Sequence, residues 1–444
     1  MEIIKLLFLM LLAVLTEGPS PDARLEVYFV VDRSVLDRYV AEQTTGDSAT
    51  RLNNSLVSLR ADIEYFITEI NEMYASLRPM GLHIEILNKR LDVLNMNLFS
   101  DNVHRFLALE AFDNWLAYAT VVCDAAILWT GHNFQRKGIA HLGQVCRSVN
   151  ASGIVFYDMT YQVSITTAHE LGHIMGAYHD SANSGYVMDP MRSALDTNRW
   201  HFSLYSKNTF GTLFASYRSR CLSVTSLGLT APSAAVTDAL ADPDTICRRA
   251  RKNNGSYMCK NPSLYGNAAP QGDWVCKQIW CQEANTSHCY TAFSSDGLIC
   301  GTNKRCNDGT CQDHPDAKSA IVNPDCIWGD QASVGFLWSN YRYGGDCAGL
   351  IGLFGNHVCY NPVVARYCCG TCHKFYTGIV GCEFGDLHPH CNLSTKADVC
   401  DCYSEVCCLF CQGYKKKRSS ESIGNVRGVT IKVIDDLRLV PDEP

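Results

Sequence analysis

Thr166-Thr-Ala-His169-Glu170-Leu-Gly-His173-Ile-Met-Gly176-Ala-Tyr-His179-Asp180 is the stretch on which the reading of this chain turns. Residues four apart share one face of a helix, so His169 and His173 can aim ring nitrogens at a single ion. Imidazole suits Zn²⁺, and a zinc that does chemistry keeps three protein ligands and one open position. His179 offers the third ligand, but it cannot lie on the same helical face. The helix must therefore end and the chain turn, and Gly176 supplies the backbone freedom for that turn. Glu170, next to the first ligand, is placed to take a proton from water. The His-Glu-x-x-His core alone is a weak-to-moderate signal, and a helix with two core histidines would produce it. The glycine and third histidine at their fixed offsets make the signal strong.

Outward from this stretch the chain alternates strands and helices. Leu25 to Val31 (LEVYFVV) reads as a strand by its β-branched and aromatic content. Arg51 to Leu77 places Leu52, Leu56, Leu59, Ile63, Phe66, Ile67, Ile70 and Tyr74 at steps of three and four, a helix that stops at Pro79. Leu82 to Leu94 alternates like a half-buried strand, Asn102 to Ala119 is helical, and Asp124 to Thr130 (DAAILWT) is a buried strand. The pattern predicts an α/β domain over 22–226 with a mostly parallel twisted sheet and the histidine-bearing helix.

The 444 residues carry 47% hydrophobic and 19% charged side chains, a balance able to bury a core. A net charge of −7 argues against nucleic acid or an acidic membrane surface as the main partner. The 24 cysteines are unevenly spread: three before residue 244, eight from Cys247 to Cys311, thirteen from Cys326 to Cys411. Such a framework implies an oxidising compartment and hence a secreted, extracellular protein. Lys5 followed by the ten apolar residues Leu6 to Leu15 reads as a signal peptide over 1–20, too short to span a bilayer. No later segment reaches membrane-spanning length, so no anchor is expected in the mature chain, and its oligomeric state is unreadable. Asn53, Asn150, Asn254, Asn285 and Asn392 are candidate glycosylation sites by their sequons.

Residues 227–243, rich in Ala, Ser and Pro, read as a linker. The module at 244–314 has little apolar periodicity, so disulfides must replace a large core in this loop-dominated region. Residues 322–411 contain two tandem cysteine-rich repeats. Cys326-Ile-Trp-Gly-Asp330 recurs as Cys382-Glu-Phe-Gly-Asp386, Cys359-Tyr360 as Cys402-Tyr403, and Cys368-Cys369-Gly-Thr-Cys372 as Cys407-Cys408-Leu-Phe-Cys411. The polar residues 412–444 read as a disordered tail.

Tyr186-Val-Met188-Asp-Pro190 follows the third histidine, and taken with HELGHIMGAYHD it resembles the metzincin zinc endopeptidases. Asp180 after that histidine is similar to the reprolysin branch of ADAM, ADAMTS and snake-venom metalloproteases. Trp200-His-Phe-Ser203-Leu-Tyr-Ser206 and Gly138-Ile-Ala-His-Leu-Gly143 resemble that branch's FSxxS segment and its substrate-pairing edge strand. The resemblance implies zinc on His169, His173 and His179, Glu170 as general base and Met188 as the floor beneath the metal. It also implies a Cys146–Cys221 disulfide and a candidate calcium site of Glu26, Asp124 and the carbonyl of Cys221. Val224 stands where the family carries Asn or Asp for that site.

Trp280-Cys281, Asp296-Gly297, Cys300-Gly301, Cys306 and Gly309-Thr-Cys311 look like the disintegrin-like module of ADAMTS enzymes. The family's pro-domain has no counterpart before Leu25, so latency is expected to be managed another way, or the chain to be a shortened form. The resemblance implies an endopeptidase acting on extracellular matrix or plasma proteins, with the cysteine-rich regions as exosites. A secreted binding, adhesion or toxin protein working through its disulfide modules is the alternative. Cysteine arithmetic leaves Cys123 odd, with a bridge to Cys400, a free thiol or another pairing all open.

Overall fold

Strand β1 (Ala23–Val31) is buried along nearly its whole length, and its apolar run Val27 to Val31 suits a strand covered on both faces. It pairs in parallel with β2 (Ile84–Val93) on one side and β3 (Ala125–Thr130) on the other. The short β4 (Gly138–Ala140) pairs antiparallel with β5 (Ser152–Phe156), which is itself parallel to β3. The order β2-β1-β3-β5-β4 makes a mostly parallel sheet whose last strand is β4. The computed structural model describes residues 23–147, 150–191, 196, 198–223, 241–260, 272–282, 288–315, 317, 326–331, 334–338, 341–388, 391, 396–414 and 437–439. The leader expected at 1–20 and most of the linker expected at 227–243 lie outside them.

Two helices follow β1. The first, α1 (Arg33–Glu42), has no counterpart in the sequence reading, being short and only sparsely apolar. Its N-terminus is fixed by Asp32, whose carboxylate accepts from Ser34 N at 3.1 Å and Thr130 Oγ1 at 2.6 Å. The second, α2 (Ser48–Ala75), begins three residues earlier than its apolar period because Asp47 caps it, accepting from Thr50 N at 2.8 Å. It buries Leu59, Ile63, Phe66, Ile67, Ile70 and Tyr74 in the main core. On the opposite sheet face, α3 (Arg105–Ala119) covers Tyr28, Val30, Leu128 and Ile154 through Ala108, Leu109 and Phe112. The histidine-bearing helix α4 (Gln162–Ile174) packs under β5, and α5 (Leu204–Phe214) closes the unit. Cys146 and Cys221 are disulfide-bonded.

Beyond residue 243 the framework changes. The next unit starts with α6 (Pro243–Arg251) and holds a small apolar cluster around Ile246, Met258, Val275, Ile279 and Leu298. Four disulfides close it: Cys247–Cys281, Cys259–Cys289, Cys276–Cys306 and Cys300–Cys311. Residues 326–411 are two copies of one plan. In the first, Cys326–Cys369, Cys347–Cys368 and Cys359–Cys372 are bonded; in the second, Cys382–Cys408, Cys391–Cys407 and Cys400–Cys411. In both, the Asp of the opening motif caps the turn at the paired cysteines, Asp330 through Thr371 N and Asp386 through Leu409 N and Phe410 N.

This pairing corrects two sequence expectations. The counterpart of Cys359 is Cys400 rather than Cys402, and a Cys123–Cys400 bridge is excluded because Cys400 is bonded to Cys411. Cys123 is outside any disulfide, and burial, with the charge of Asp124, pushes its thiol up to about 11. The expected tail without regular structure differs at Leu437–Leu439, a strand antiparallel to Val334–Trp338. The side chain of Cys402 lies outside the described residues.

The second unit is fastened to the first by polar groups taken out of water. The Arg249 guanidinium donates to Glu42 Oε1 at 2.9 Å and to Asp62 Oδ2 at 2.9 Å, and Tyr39 donates to the same Asp62 oxygen at 2.6 Å. Arg199, fully buried, donates to the carbonyls of Lys277 and Cys276 and stacks on Trp200 at 3.9 Å. Tyr65 Oη donates to the Asp296 carbonyl at 2.9 Å, and Tyr161 Oη to its carboxylate at 3.3 Å. Gly309, at φ +71°, lets the Trp200 ring approach where any Cβ would stand 2.6 Å from it. Lys260 Nζ ties the second unit to the third through the carbonyls of Trp328, Gly329 and Asp330. Among the described residues no helix is long and apolar enough to cross a membrane.

Candidate metal centre

Helix α4 carries His169, Glu170 and His173 and runs out at Ile174, where Met175 caps it. Gly176 then adopts φ +100°, a conformation that costs a residue with a side chain, and the chain doubles back to bring in His179. The three rings meet. Their centroids lie 4.6, 5.1 and 4.7 Å apart, and one ligand atom from each falls within 4.8 Å of the others. His173 Nε2 and His179 Nε2 stand 3.1 Å apart. A tetrahedral zinc with Zn–N of about 2.0–2.1 Å holds its nitrogens roughly 3.3 Å apart, so the set is of the right size.

The outer hydrogen bonds settle which nitrogens face inward. His169 Nδ1 lies 2.7 Å from the carbonyl of Val187, and His173 Nδ1 lies 2.7 Å from that of Ala177. Carbonyls only accept, so each Nδ1 carries the proton and each Nε2 keeps its lone pair for a metal. Met188 is wholly buried, and its Sδ presses on Gly172 so closely that a Cβ there would sit 2.6 Å away. Its carbonyl receives Asp180 N at 2.9 Å, while the Asp180 carboxylate accepts from Ser203 Oγ at 2.5 Å. The segment after the bend is thus tied to the segment Arg199 to Ser206, which also carries the buried Arg199 that fastens the second unit.

Glu170 is buried against the edge strand. A Cβ on Gly138 would lie 2.2 Å from Glu170 Oε1, so only glycine lets the carboxylate and β4 share this space. The carboxylate and the three histidines open onto one cleft of about 990 Å³, which β4 and Phe156 also line. At the sheet's end, β4 bonds to β5 on one side only.

The expected calcium residues also come together, but with a cation already supplied. Lys89 Nζ contacts Glu26 Oε2 at 2.7 Å, and Asp124 Oδ2 accepts from Glu26 N at 2.9 Å, beside the Cys146–Cys221 bridge. Sequence reading missed Lys89, whose only signal was a basic residue in the alternating strand next to β1. An ammonium thus already occupies one of the carboxylate oxygens the expected calcium would need. Of the candidate glycosylation sites, Asn53, Asn150 and Asn254 are exposed; Asn285 and Asn392 lie outside the described residues.

Residues 23–212 match the family profile described as Reprolysin_5, metallo-peptidase family M12. The chain is 28% identical over 338 residues to the zinc metalloproteinase-disintegrin-like brevilysin H2a of Gloydius brevicauda, covering 70% of this chain and 73% of that one. It is 25% identical over 214 residues to the snake venom metalloproteinase trimerelysin-2 of Protobothrops flavoviridis, 46% of this chain and 96% of that one. It is 27% identical over 289 residues to the human a disintegrin and metalloproteinase with thrombospondin motifs 8, 57% of this chain and 29% of that one. Three converging imidazoles that could hold a metal, two of them with their lone pairs turned inward, lie within the matched residues 23–212, and together with these relatives they make the chain a metalloendopeptidase with a reprolysin-like metzincin domain.

Proposed function

We propose that the chain is a secreted zinc endopeptidase that cleaves extracellular proteins, with His169, His173 and His179 holding the metal and Glu170 as its general base. The observation that carries this reading is the placement of Glu170 Oε1 against Gly138 of the edge strand, in the same cleft as the three rings. An extended peptide adding to β4 by backbone hydrogen bonds would lay its scissile carbonyl beside that carboxylate. When bound, zinc supplies Lewis acidity to the scissile carbonyl and to the attacking water. Glu170 accepts the water's proton at its carboxylate and passes it to the departing amine nitrogen. Met188 and Gly172 form an apolar floor that holds α4 and the His179 segment in register. The Val187 and Ala177 carbonyls fix two of the rings, so turning them costs a buried hydrogen bond each.

Secretion is supported by the disulfide density, since eleven bridges occur among the described residues. The Lys89–Glu26 pair supports a fold that needs zinc without structural calcium. The deciding experiment is casein or fibrinogen cleavage by wild type and Glu170→Ala. Proteolysis that survives the substitution overturns the assigned role. Absence of proteolysis in the zinc-loaded wild type would favour a binding or adhesion protein acting through its modules.

A further inference from the structure

One corner of the cleft is built by both units. Lys252, the residue that ends α6, takes φ 54° and carries its side chain onto the Phe156 ring, with Nζ 4.8 Å from the centroid. Lys137 Nζ reaches the same ring at 5.0 Å and the Arg38 guanidinium at 5.1 Å. Arg136 lines the cleft beside them. Against these cations stand Asp158, ion-paired 3.2 Å from Lys137, and at longer range Asp101, outnumbered by the four basic side chains. Arg38 is satisfied by the carbonyls of Tyr157 and Gly131. Among the described residues Lys252 has no acidic partner. Burial, then the charges of Arg38 and Lys137, lower its affinity for a proton. The corner is therefore a group of like charges gathered at one end of a peptide-binding cleft, and an incoming anion would relieve their repulsion.

The direction of the strand says which part of a substrate arrives there. Lys137 immediately precedes β4, and Gly138 abuts Glu170. A peptide paired antiparallel to β4, as β4 itself pairs with β5, runs from Ala140 toward Gly138 and on past Lys137. Residues meeting the corner thus lie on the C-terminal side of the bond beside Glu170. We propose that this corner is a subsite for an aspartate or glutamate of the substrate, two to four residues downstream of the scissile bond, and that Lys252 of the disulfide-rich unit sets the preference. The proposal rests on the endopeptidase reading and names its substrate class. It also gives the Arg249 clasp a function, since that residue anchors the helix that delivers Lys252.

The test uses the full zinc-loaded chain and a randomised peptide library whose cleavage products are sequenced by mass spectrometry. Wild type should enrich Asp and Glu over Asn and Gln at those downstream positions by about fivefold, the scale of one partly exposed ion pair. Lys252→Ala should bring that ratio to below about twofold, and Lys252→Glu should invert it toward Lys and Arg. Raising NaCl from about 0.05 to 0.5 M should shrink the wild-type ratio, because exposed pairs are screened. Arg136→Ala, at an exposed position, gives a second variant whose ratio should fall in the same direction. Cleavage with no downstream acidic enrichment, or with an enrichment that both Lys252 variants retain, overturns this proposal alone. No cleavage of any library member overturns the endopeptidase reading and this proposal with it.

Discussion

The first unit and the disulfide-rich remainder reach stability by different physics. Residues 23–223 bury a continuous apolar core from Leu25 to Phe210 on one face of the sheet, and a second cluster around Tyr28 and Phe112 on the other, with one disulfide near the end. The units from 243 to 411 hold ten of the eleven bridges among the described residues and bury only small clusters, the last being Cys391, Val399, Cys400, Cys407 and Cys411. In the first unit water is excluded from a layer, and the site is built on rigid elements of that layer. In the second the chain is stapled, and its surface is left for contact. The difference teaches why the chemistry sits where it does. The three imidazoles converge on a helix packed into the large core, and the stapled units bury only small clusters on which to fix such a set.

The largest expected effect breaks the comparison at its chemical end. Glu170→Gln should lower kcat on a quenched peptide by about a thousandfold while atomic absorption still finds zinc. His179→Ala should lose both metal and turnover, and unchanged zinc content would remove that residue from the ligand set. Next comes the contrast in stabilisation. Native-state reduction with dithiothreitol, read by limited trypsin digestion, should release 326–411 first and leave 23–223 as a protected fragment, since each bridge contributes about 2–4 kcal/mol to a unit with little core. Simultaneous loss of both would show that the two regions are not independently held.

The junction supplies the next two tests. Arg249→Ala strands Asp62, itself 2% exposed, and should cost about 3–5 kcal/mol of docking. Hydrogen exchange in Pro243–Arg251 should then rise, and exchange identical to wild type would sink the clasp. Burial, with the charge of Asp308, raises Asp296 to about 6, and burial beside Asp296 raises Glu69 as well. The folded state therefore holds protons that the unfolded chain releases at lower pH. This stabilisation is complete below the unfolded value of 3.8 and is lost as pH rises through about 6. Tm should fall between about pH 4 and 6.5, and Asp296→Asn should flatten that slope by a few degrees. The smallest expected effect is on calcium. EGTA should move Tm by less than roughly 1 °C, because Lys89 already pairs with Glu26; a larger drop would restore a calcium ion to this site.

The convergence of the three histidines was legible because it is local. A four-residue step on one helix and a glycine before the third ring are properties of fifteen consecutive residues, and Gly176 takes the positive φ the bend demanded. β1, α2 and β3 were legible from apolar period and length. What escaped was short, or distant in sequence. α1 offers only Val35, Leu36 and Tyr39 to the core and is placed by its Asp32 cap. The repeat register was misjudged because a Cys-Tyr pair was matched by identity, whereas the bonding plan pairs Cys359 with Cys400 as equivalents. Arg249 meets Asp62 across 187 residues and Asp296 meets Tyr65 across 231, and no window of sequence contains both partners.

Helix α2 touches both ends of the molecule's business. Tyr65, near its middle, bonds Asp296 of the stapled unit, and Tyr74, at its end, bonds the carbonyl of Ala168, the residue before His169. A truncation after Ser223 would uncover phenols and carboxylates shaped for a neighbour that is no longer there, on the same rod that braces the metal helix. Recombinant work on the protease part alone would leave these groups facing water, which is a reason to keep the unit from 243 to 315 in a minimal version.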